Sequence, residues 1–372
     1  MRIGAIKAYL LKEFKELIRS RLIILIYLVP TMILLLFGYG IRLEVKHTRL
    51  VVVDEDRSTL SMKLLQNFTH SKYFQILYTT TSYQEALHKI KQAKADVILI
   101  IPADFEKSLF HTHKASLAIF IDGAFPLRAM TMQGYVEGAL INAMEDFAQK
   151  YNIAMHHIAI VQRNLFNQAM RDENAIVPGL IGLVLLIAPA LLAALLIVKE
   201  KEYGTIFNFY SSPLTKSEFL IAKLLPVFLL HSVNIFILFL WSTYLFAVPF
   251  RGSFWLYWLS SEIYILISLS IGLLVSIITN RQIVAVVLTL IITIIPGFLY
   301  SGILMPISSM QGESYIEAHL FPIMYYNQIA YDTFLIGQGL ASQKNLLYLG
   351  ILILYSITLL TLGSLLMKKG VR

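Results

Sequence analysis

Four charged residues of alternating sign, Lys199-Glu200-Lys201-Glu202, interrupt the apolar second half of this chain. Gly204 follows them and can turn the backbone, and Thr205 with the apolar residues after it can open a short helix. Thr215 and Glu218 have the spacing of a capping box, which predicts that a helix begins there. The chemistry of such a segment is recognition: a short amphipathic helix can dock into a groove of a partner protein. The alternative is an ordinary solvated loop.

Polar residues within apolar runs form a second candidate group. Glu262 is the only acid that falls inside a predicted membrane span. Carboxylates inside membranes are costly and often mark a transport pathway. Glu262 lies near the predicted outer interface, however, where its side chain can reach water. Asn234, like His231 beside it, can equally form hydrogen bonds between helices. Glu262 and Asn234 are therefore candidate pathway residues, with helix packing as the alternative role.

Motifs for covalent or metal chemistry are missing from the sequence. There is no G-x-S-x-G elbow, no cysteine and no G-x-x-x-x-G-K-[ST] phosphate-binding loop. His111 and His113 point apart on a helix, as do His156 and His157, so neither pair is a natural set of metal ligands. We therefore predict no catalytic residue, no cofactor-binding residue and no metal site in this chain. Any step driven by ATP would need an ATPase on another chain.

The composition indicates a membrane protein. The chain is 57% hydrophobic and 15% charged, with a mean hydropathy of +0.68, and its apolar residues fall in runs long enough to cross a bilayer. The net charge of +8 follows the positive-inside rule, because the two short loops predicted to lie outside contain only Arg251 and Lys344 as basic residues. The excess charge thus needs no nucleic acid as a partner.

The elements that must position these residues are six membrane spans and one large inserted domain. The predicted fold is an α-helical membrane protein with six transmembrane helices and an extracytoplasmic α/β domain. In chain order the segments are a cytoplasmic interfacial amphipathic helix (1–21), span one (22–41), the extracytoplasmic α/β domain (42–175), span two (176–198), a cytoplasmic loop (199–218), span three (219–249), span four (254–279), span five (283–304), an outer re-entrant or interfacial segment (305–345), span six (346–367) and a cytoplasmic tail (368–372).

The domain at 42–175 differs in character from the rest of the chain. It carries fifteen Lys and Arg and fourteen Asp and Glu, which nearly balance. Short β-rich runs alternate with helical ones, a pattern typical of a small α/β domain built around a sheet. The predicted strands are Leu50–Val53, Phe74–Tyr78, Val97–Ile101 and Leu117–Ile121. Both termini are predicted to lie in the cytoplasm.

The loop at 199–218 resembles the segment that follows the second span in permeases of the ABC-2 type. In that family E-[RK]-E-x-G-T is followed by Ser/Thr-Pro and then by a Glu. The matching positions here are Glu200, Glu202, Gly204, Thr205, Pro213 and Glu218. Lys201 stands where arginine is more usual. The resemblance implies that this loop couples the spans to a separate ATPase subunit through Glu200, Glu202, Gly204 and Thr205.

Two further regions are similar to the drug-exporter branch of the same family. One is the series Val53–Ser58, Ile101–Phe105 and Ile121–Gly123 in the inserted domain. The other is Ser301–Met310 after the fifth span, where Gln311 departs from the proline that the family commonly has. The similarity extends over nearly the whole chain, and the order of the segments is more specific than any one of them.

The resemblance implies a permease subunit of an ABC exporter in the bacterial inner membrane, which moves a hydrophobic or amphipathic small molecule. Its partners would be an ABC ATPase, which binds ATP and Mg²⁺, a second permease copy (identical or related) and, in a cell with two membranes, a periplasmic adaptor. Two other functions stay open from the residues alone. One is a proton-driven secondary transporter, and the other is a membrane-anchored sensor or assembly scaffold.

Overall fold

A computed structural model describes residues 3–20, 22–41, 47–92, 94–112, 115–122, 126–151, 167, 171–305, 307 and 310–369. The chain divides into two compact units. The first comprises Met1–Ile41 and Arg163–Arg372, and the second comprises Arg42–Gln162.

The second unit is built around a four-stranded sheet. Its strands are β1 (Thr48–Asp54), β2 (Phe74–Thr80), β3 (Val97–Ile101) and β4 (Ala118–Ile121), and its helices are α3 (Thr59–His70), α4 (Tyr83–Lys91), α5 (Phe105–Thr112) and α6 (Pro126–Tyr151). The strand order is β2-β1-β3-β4, with β1 parallel to both of its neighbours and β4 antiparallel to β3. Each predicted strand overlaps one of these strands.

Alternation along β1 explains why helices cover both faces of this sheet. Leu50 and Val52 belong to the larger core, with residues of α3, α5 and α6. Val51 and Val53 belong to a smaller core with Ala86 of α4. Because successive side chains of a strand point to opposite faces, one apolar run supplies both cores.

The first unit is a bundle of helices. They are α1 (Ile3–Arg19), α2 (Leu22–Gly40), α7 (Asp172–Glu202), α8 (Ile206–Ser211), α9 (Lys216–Leu240), α10 (Phe254–Ile278), α11 (Gln282–Leu299), α12 (Glu313–Leu320), α13 (Pro322–Tyr331) and α14 (Gln343–Leu366). Five of them, α7, α9, α10, α11 and α14, are long and apolar enough to cross a membrane, and Ile26–Gly40 of α2 forms a shorter apolar helix. The chain is therefore a helical membrane protein.

The central helix of the bundle is α7. Within its most apolar stretch 94% of the residues are buried, against 22% for α11 and for α14. It packs against α2, α9, α10, α11 and α13. Gly272 of α10 makes one close approach possible, because a Cβ at this position would lie 2.1 Å from the carbonyl oxygen of Ala190.

The helix α7 continues past the predicted boundary between the second span and the loop. The helix runs from Asp172 to Glu202, so residues 199–202 of the predicted loop 199–218 are helical. With 31 residues it is about 46 Å long, well beyond the hydrocarbon thickness of about 30 Å. The remaining loop is also partly helical, since it contains α8. The charged residues Lys199–Glu202 therefore form the last turn of α7.

Other helix ends also fall at positions different from the predicted span limits. The predicted domain end at 175 lies inside α7. The third predicted span, 219–249, begins at Lys216, and its α-helix ends at Leu240, followed by a π-helical turn. The fifth, 283–304, ends at Leu299, and Gly302 has a left-handed backbone. Local caps and turns set these ends, whereas hydropathy reports only the apolar stretch.

The segment predicted as re-entrant, 305–345, contains the helices α12 and α13. Most residues of α13 are buried, and this helix packs against α7, α10 and α14. Asn327 donates a hydrogen bond to the carbonyl of Ser301 (2.8 Å), and the Tyr331 hydroxyl donates one to the carbonyl of Ala175 (2.7 Å). These bonds connect α13 to the start of α7 and to the chain that follows α11.

Candidate functional site

Four consecutive residues at the end of α7, Lys199 to Glu202, contact four different helices. We call these residues the α7 hub. Lys199 Nζ lies 3.3 Å from a carboxylate oxygen of Glu16 on α1. The Glu200 carboxylate forms an ion pair with Lys223 on α9. Successive side chains leave a helix about 100° apart, which is why neighbouring residues reach different partners.

The next two hub residues bind helix ends. Lys201 Nζ donates to carbonyl oxygens at the end of α10, including those of Ile277 (3.2 Å) and Thr279 (3.3 Å). One carboxylate oxygen of Glu202 accepts hydrogen bonds from the backbone and side-chain amides of Gln282, each at 2.9 Å. A cation at a helix C-terminus and an anion at a helix N-terminus are both stabilising arrangements. The hub thus joins α7 to α1, α9, α10 and α11.

Lys223 lies at the centre of a buried ion cluster with Glu13 and Glu200. Its ammonium is 2.8 Å from a carboxylate oxygen of Glu13 and also pairs with Glu200. All three residues are buried. Glu13 Oε1 and Glu200 Oε2 have no hydrogen-bond partner among the described residues. The two carboxylates therefore share the buried lysine, and the exposed Lys12 ammonium lies 3.9 Å from Glu13 Oε1.

The environment of this cluster changes the acidity of groups on α1. Burial raises the pKa of Glu13, and this effect exceeds the opposing attraction of the Lys223 ammonium. Burial also raises the pKa of the Tyr9 phenol, with further contributions from the Glu200 and Glu13 carboxylates. The Lys223 ammonium lies 5.9 Å from the centre of the Tyr9 ring. The amphipathic helix α1 is thus attached to α9 by buried charge as well as by apolar contact.

Gly204 and Thr205 form the turn between α7 and α8. Gly204 has φ +73°, a left-handed conformation that favours glycine. Thr205 donates a hydrogen bond to the carbonyl of Glu200 (3.4 Å), across the turn. Ile206 and Phe209 are the buried residues of α8, and the Phe209 ring stacks on Phe219 of α9. The turn therefore directs α8 back onto the bundle.

The capping box predicted at Thr215 is confirmed. The Thr215 hydroxyl accepts from the backbone amide of Glu218, and the Glu218 carboxylate accepts from that of Thr215 at 3.0 Å. Lys369 Nζ, beyond the end of α14, donates to the carbonyls of Ser212 (2.7 Å) and Leu214 (2.6 Å). The start of α9 is therefore fixed by its own cap and by the chain after α14.

Two aromatic residues beside the hub are exposed, and sequence reasoning missed them. Tyr203 is 70% exposed and Phe207 is 52% exposed. Gly204 lies between them in sequence, and a Cβ at this position would lie 3.9 Å from the Phe207 ring. The signal was present in the sequence, since large aromatic residues in a charged segment often form protein contacts. They offer a partner an apolar surface next to the hub.

The four residues predicted to couple the spans to a partner have different environments. Glu200 is buried and is bound to Lys223, so its side chain faces the bundle. Glu202 is exposed but accepts both hydrogen bonds from Gln282. Gly204 and Thr205 shape the turn. Lys223 was missed, although a lysine five residues inside a predicted span calls for a buried acidic partner.

The two predicted pathway residues do not form one site through direct hydrogen bonds. Glu262 accepts a hydrogen bond from the Ser232 hydroxyl at 2.8 Å, which links α10 to α9. Asn234 is fully buried, and neither its amide oxygen nor its amide nitrogen has a hydrogen-bond partner in the described part of the chain. His231, on the same face of α9, is 2.9 Å from the carbonyl of Val227 through Nδ1. Of the two predicted pathway residues, Glu262 thus has a hydrogen-bond partner, whereas the buried amide of Asn234 is unsatisfied.

Metal ligands do not cluster in the part of the chain that the structure describes. No group of three or more His, Cys, Asp or Glu side chains there could hold an ion. His111 is exposed in α5. His113, His156 and His157 lie outside the described residues.

Comparison with known proteins decides between the functions that the sequence leaves open. The family model described as ABC-2 family transporter protein matches residues 20–365. The chain belongs to this family. It is the permease subunit of an ABC exporter, not an enzyme, and ATP hydrolysis takes place on a partner ABC ATPase. The proton-driven and scaffold alternatives are thereby set aside.

Relatives of the permease include two Escherichia coli (strain K12) proteins that it matches over most of their length. It is 29% identical over 338 residues to the probable multidrug ABC transporter permease YbhS, covering 89% of each chain. It is 26% identical over 325 residues to the probable multidrug ABC transporter permease YbhR, covering 87% of this chain and 88% of the relative. A third relative, ABC transporter G family member 20 of Dictyostelium discoideum, is 23% identical over 337 residues, and the match covers 88% of the permease and 46% of that protein. No solved structure is significantly similar to the permease.

Proposed function

We propose that the permease exports a hydrophobic or amphipathic small molecule and that the α7 hub, with Tyr203 and Phe207, couples transport to its ATPase partner. The observation that carries the proposal is the set of four hub contacts. A force applied to the loop beside the hub acts on the ends of α1, α9, α10 and α11 together. The multidrug names of the two Escherichia coli relatives support the substrate class.

The proposed topology has six spans, with α2 as the first, both termini in the cytoplasm and residues 42–175 outside it. The basic residues of the short loops support this orientation. ATP and Mg²⁺ bind to the partner subunit. A second permease copy, identical or related, completes the transporter, and a periplasmic adaptor contacts the inserted domain where the cell has two membranes. The membrane is then the bacterial inner membrane.

The roles of the four coupling residues follow from their positions. Tyr203 and Phe207 bind the ATPase directly, since they are exposed and apolar. Gly204 and Thr205 hold the turn that presents them. Glu200 and Glu202 transmit the movement inward through Lys223 and Gln282. The family resemblance alone implied that the two glutamates contact the ATPase. In this proposal Tyr203 and Phe207 form that contact, and the glutamates connect it to the other helices of the bundle.

The experiment is co-purification of the ATPase with tagged permease, followed by ATP-dependent uptake of a lipophilic dye into inverted vesicles. Changing Tyr203→Ser together with Phe207→Ser should reduce the bound ATPase at least tenfold, because aromatic anchors at interfaces each contribute more than about 1 kcal/mol. The matched control is Tyr244→Ser, a residue that is 81% exposed beyond the other end of α9.

The outcomes separate the parts of the proposal. Retention of the ATPase at the control level by the double variant would place the interface elsewhere. Normal ATPase binding with no ATP-dependent dye uptake by the unchanged transporter would contradict the substrate class and leave the interface intact. Loss of ATPase in the Tyr244→Ser control would show that the assay measures unfolding instead of binding.

A further inference from the structure

An apolar groove of about 530 Å³ runs between α9, α10 and α14, and its lining residues take no part in the hub contacts. Its floor includes Leu220 and Leu224 of α9 and Leu269 and Leu273 of α10, all of which are buried. Ile221, also in its lining, is 42% exposed at the rim. The groove is therefore recessed between helices and open on its outer side, unlike the convex face of a single helix.

The length of the groove matches one leaflet of a bilayer. Along α9 its lining extends from Ser217 to Phe228. Eleven residues of helix rise about 16 Å, close to half of the hydrocarbon thickness of about 30 Å. The groove begins one residue after the start of α9, so its depth matches that of an acyl chain whose ester end lies at the membrane surface.

Polarity is confined to one end of the lining. Ser217 lies at the start of α9, and Thr361 and Ser364 lie in the last turns of α14. The remaining lining side chains are apolar. The Lys369 hydrogen bonds to the carbonyls of Ser212 and Leu214 bring the chain after α14 next to the start of α9, which makes this end a common mouth. A cavity with one polar end and one long apolar part is complementary to an amphiphile.

The charge at the mouth selects the kind of amphiphile. Lys216 and Lys368 flank the lining residues in sequence, and neither has an ion-pair partner among the residues that the structure describes. Lys369 adds a third positive charge. The nearest acid in sequence, Glu218, is buried, and its carboxylate is held in the capping box. The two chain segments that border the mouth, at the start of α9 and after α14, therefore carry positive charge, and an anionic headgroup is complementary to them.

We propose that this groove binds one acyl chain of an anionic phospholipid, with its phosphate at Lys216 and Lys368. The occupant is a lipid of the leaflet next to the hub. It contacts α9 and α10, two of the helices that the hub joins to α7, and also α14, so it fills the space between them that no described segment of the chain occupies.

The test is native mass spectrometry of the permease purified with its ATPase partner, titrated with dioleoyl phosphatidylglycerol or dioleoyl phosphatidylcholine. The two lipids have the same chains and differ in net charge. We expect phosphatidylglycerol to bind more tightly, by about fivefold for each mouth lysine. The variant Lys216→Gln/Lys368→Gln should lose this preference. Lys344→Gln, a lysine at the opposite end of α14, should retain it.

A second variant tests the groove itself. Ile221→Trp places a large ring at the exposed rim and should weaken binding of both lipids by at least fivefold. Equal affinities of the two lipids for the unchanged transporter would overturn the proposal, as would unchanged lipid binding by Ile221→Trp. Absence of bound lipid, together with dissociation of a permease pair on Ile221→Trp substitution, would instead assign the groove to a second copy of the chain and would also overturn it.

Discussion

The ammonium of Lys223 lies 2.8 Å from a carboxylate oxygen of Glu13, and through this contact the amphipathic helix α1 is joined to α9. The same lysine pairs with Glu200 at the end of α7. One buried cation thus connects α7 and α9 to α1, which is far from both in sequence. Its loss would leave two carboxylates in a place where water does not reach them.

Replacement of this lysine should be strongly destabilising. Lys223→Met removes the ammonium that Glu13 and Glu200 share, and breaking a buried ion pair from one side costs about 3–5 kcal/mol. The measurement is thermal unfolding of the purified permease in detergent. Lys216→Met is the matched control, because Lys216 lies on the same helix, is only partly buried and has no ion-pair partner in the described ranges. A Lys223→Met variant as stable as this control would contradict the role given to the cluster.

Replacement of Glu13 by glutamine, in contrast, should not destabilise the permease. The folded-state pKa of Glu13 is raised above its ordinary value of 4.5. Protonation of Glu13 therefore favours the folded state, so the contribution of Glu13 to stability is greatest below pH 4.5 and is lost as the pH rises through its folded-state pKa. Glu13→Gln keeps the shape without the charge and leaves Lys223 paired with Glu200 alone. We expect it to be at least as stable as the unchanged protein at neutral pH.

The pH dependence provides the measurement for Glu13. Melting temperatures taken between about pH 4.5 and about pH 7.5 should fall more steeply for the unchanged permease than for Glu13→Gln. The charged and titratable groups around Glu13 are Lys223, Glu200, Lys12 and Tyr9. Parallel curves for the two proteins would mean that Glu13 does not change its protonation state in this range.

Packing of the central helix predicts a difference between two glycines. A Cβ at Gly272 would lie 2.1 Å from the backbone oxygen of Ala190, so Gly272→Ala must separate α10 from α7 and should cost about 1–3 kcal/mol or more. A Cβ at Gly350 of α14 would meet nothing within 4 Å. Gly350→Ala should therefore be neutral or stabilising by up to about 1 kcal/mol, since alanine is the better helix former. Thermal unfolding of the two variants side by side checks the sign of each effect.

Asn234 allows the pathway hypothesis to be tested separately from stability. Its buried amide is unsatisfied, so Asn234→Leu should leave the permease equally stable or more stable, by up to about 1–3 kcal/mol. If the amide serves the transported molecule, ATP-dependent dye transport should fall while stability does not. Unchanged transport would assign Asn234 to helix packing. Ser232→Ala removes the hydrogen bond to Glu262. Measuring its stability and its dye transport in the same way tests Glu262 as a pathway residue.

Features that depend on neighbouring residues could be predicted from the sequence. The capping box at Thr215 involves residues three positions apart, and both side chains have the partners that the spacing predicts. The strand Val97–Ile101 is a short β-branched run and appears with those bounds. The cap depends on interactions within one helix. The strand follows from an apolar run that is buried on both faces of the sheet.

Features that depend on distant residues could not be predicted in the same way. The pairing of Glu13 with Lys223 requires that α1 pack on α9, and no local pattern specifies that contact. The end of α7 at Glu202 was missed because the charged run reads as a loop when its four partners are unknown. The exposure of Tyr203 and Phe207 depends on the turn at Gly204 and on the docking of α8.

The arrangement of the α7 hub determines what kind of motion it can pass on. Its four contacts leave the helix in directions about 100° apart, so together they encircle the helix axis. A sideways push loads the contacts on one side and relaxes those on the other. A twist of α7 about its own axis loads all four in the same sense. Under the proposed coupling role, rotation of α7 about its axis is therefore the motion that the four contacts would transmit together.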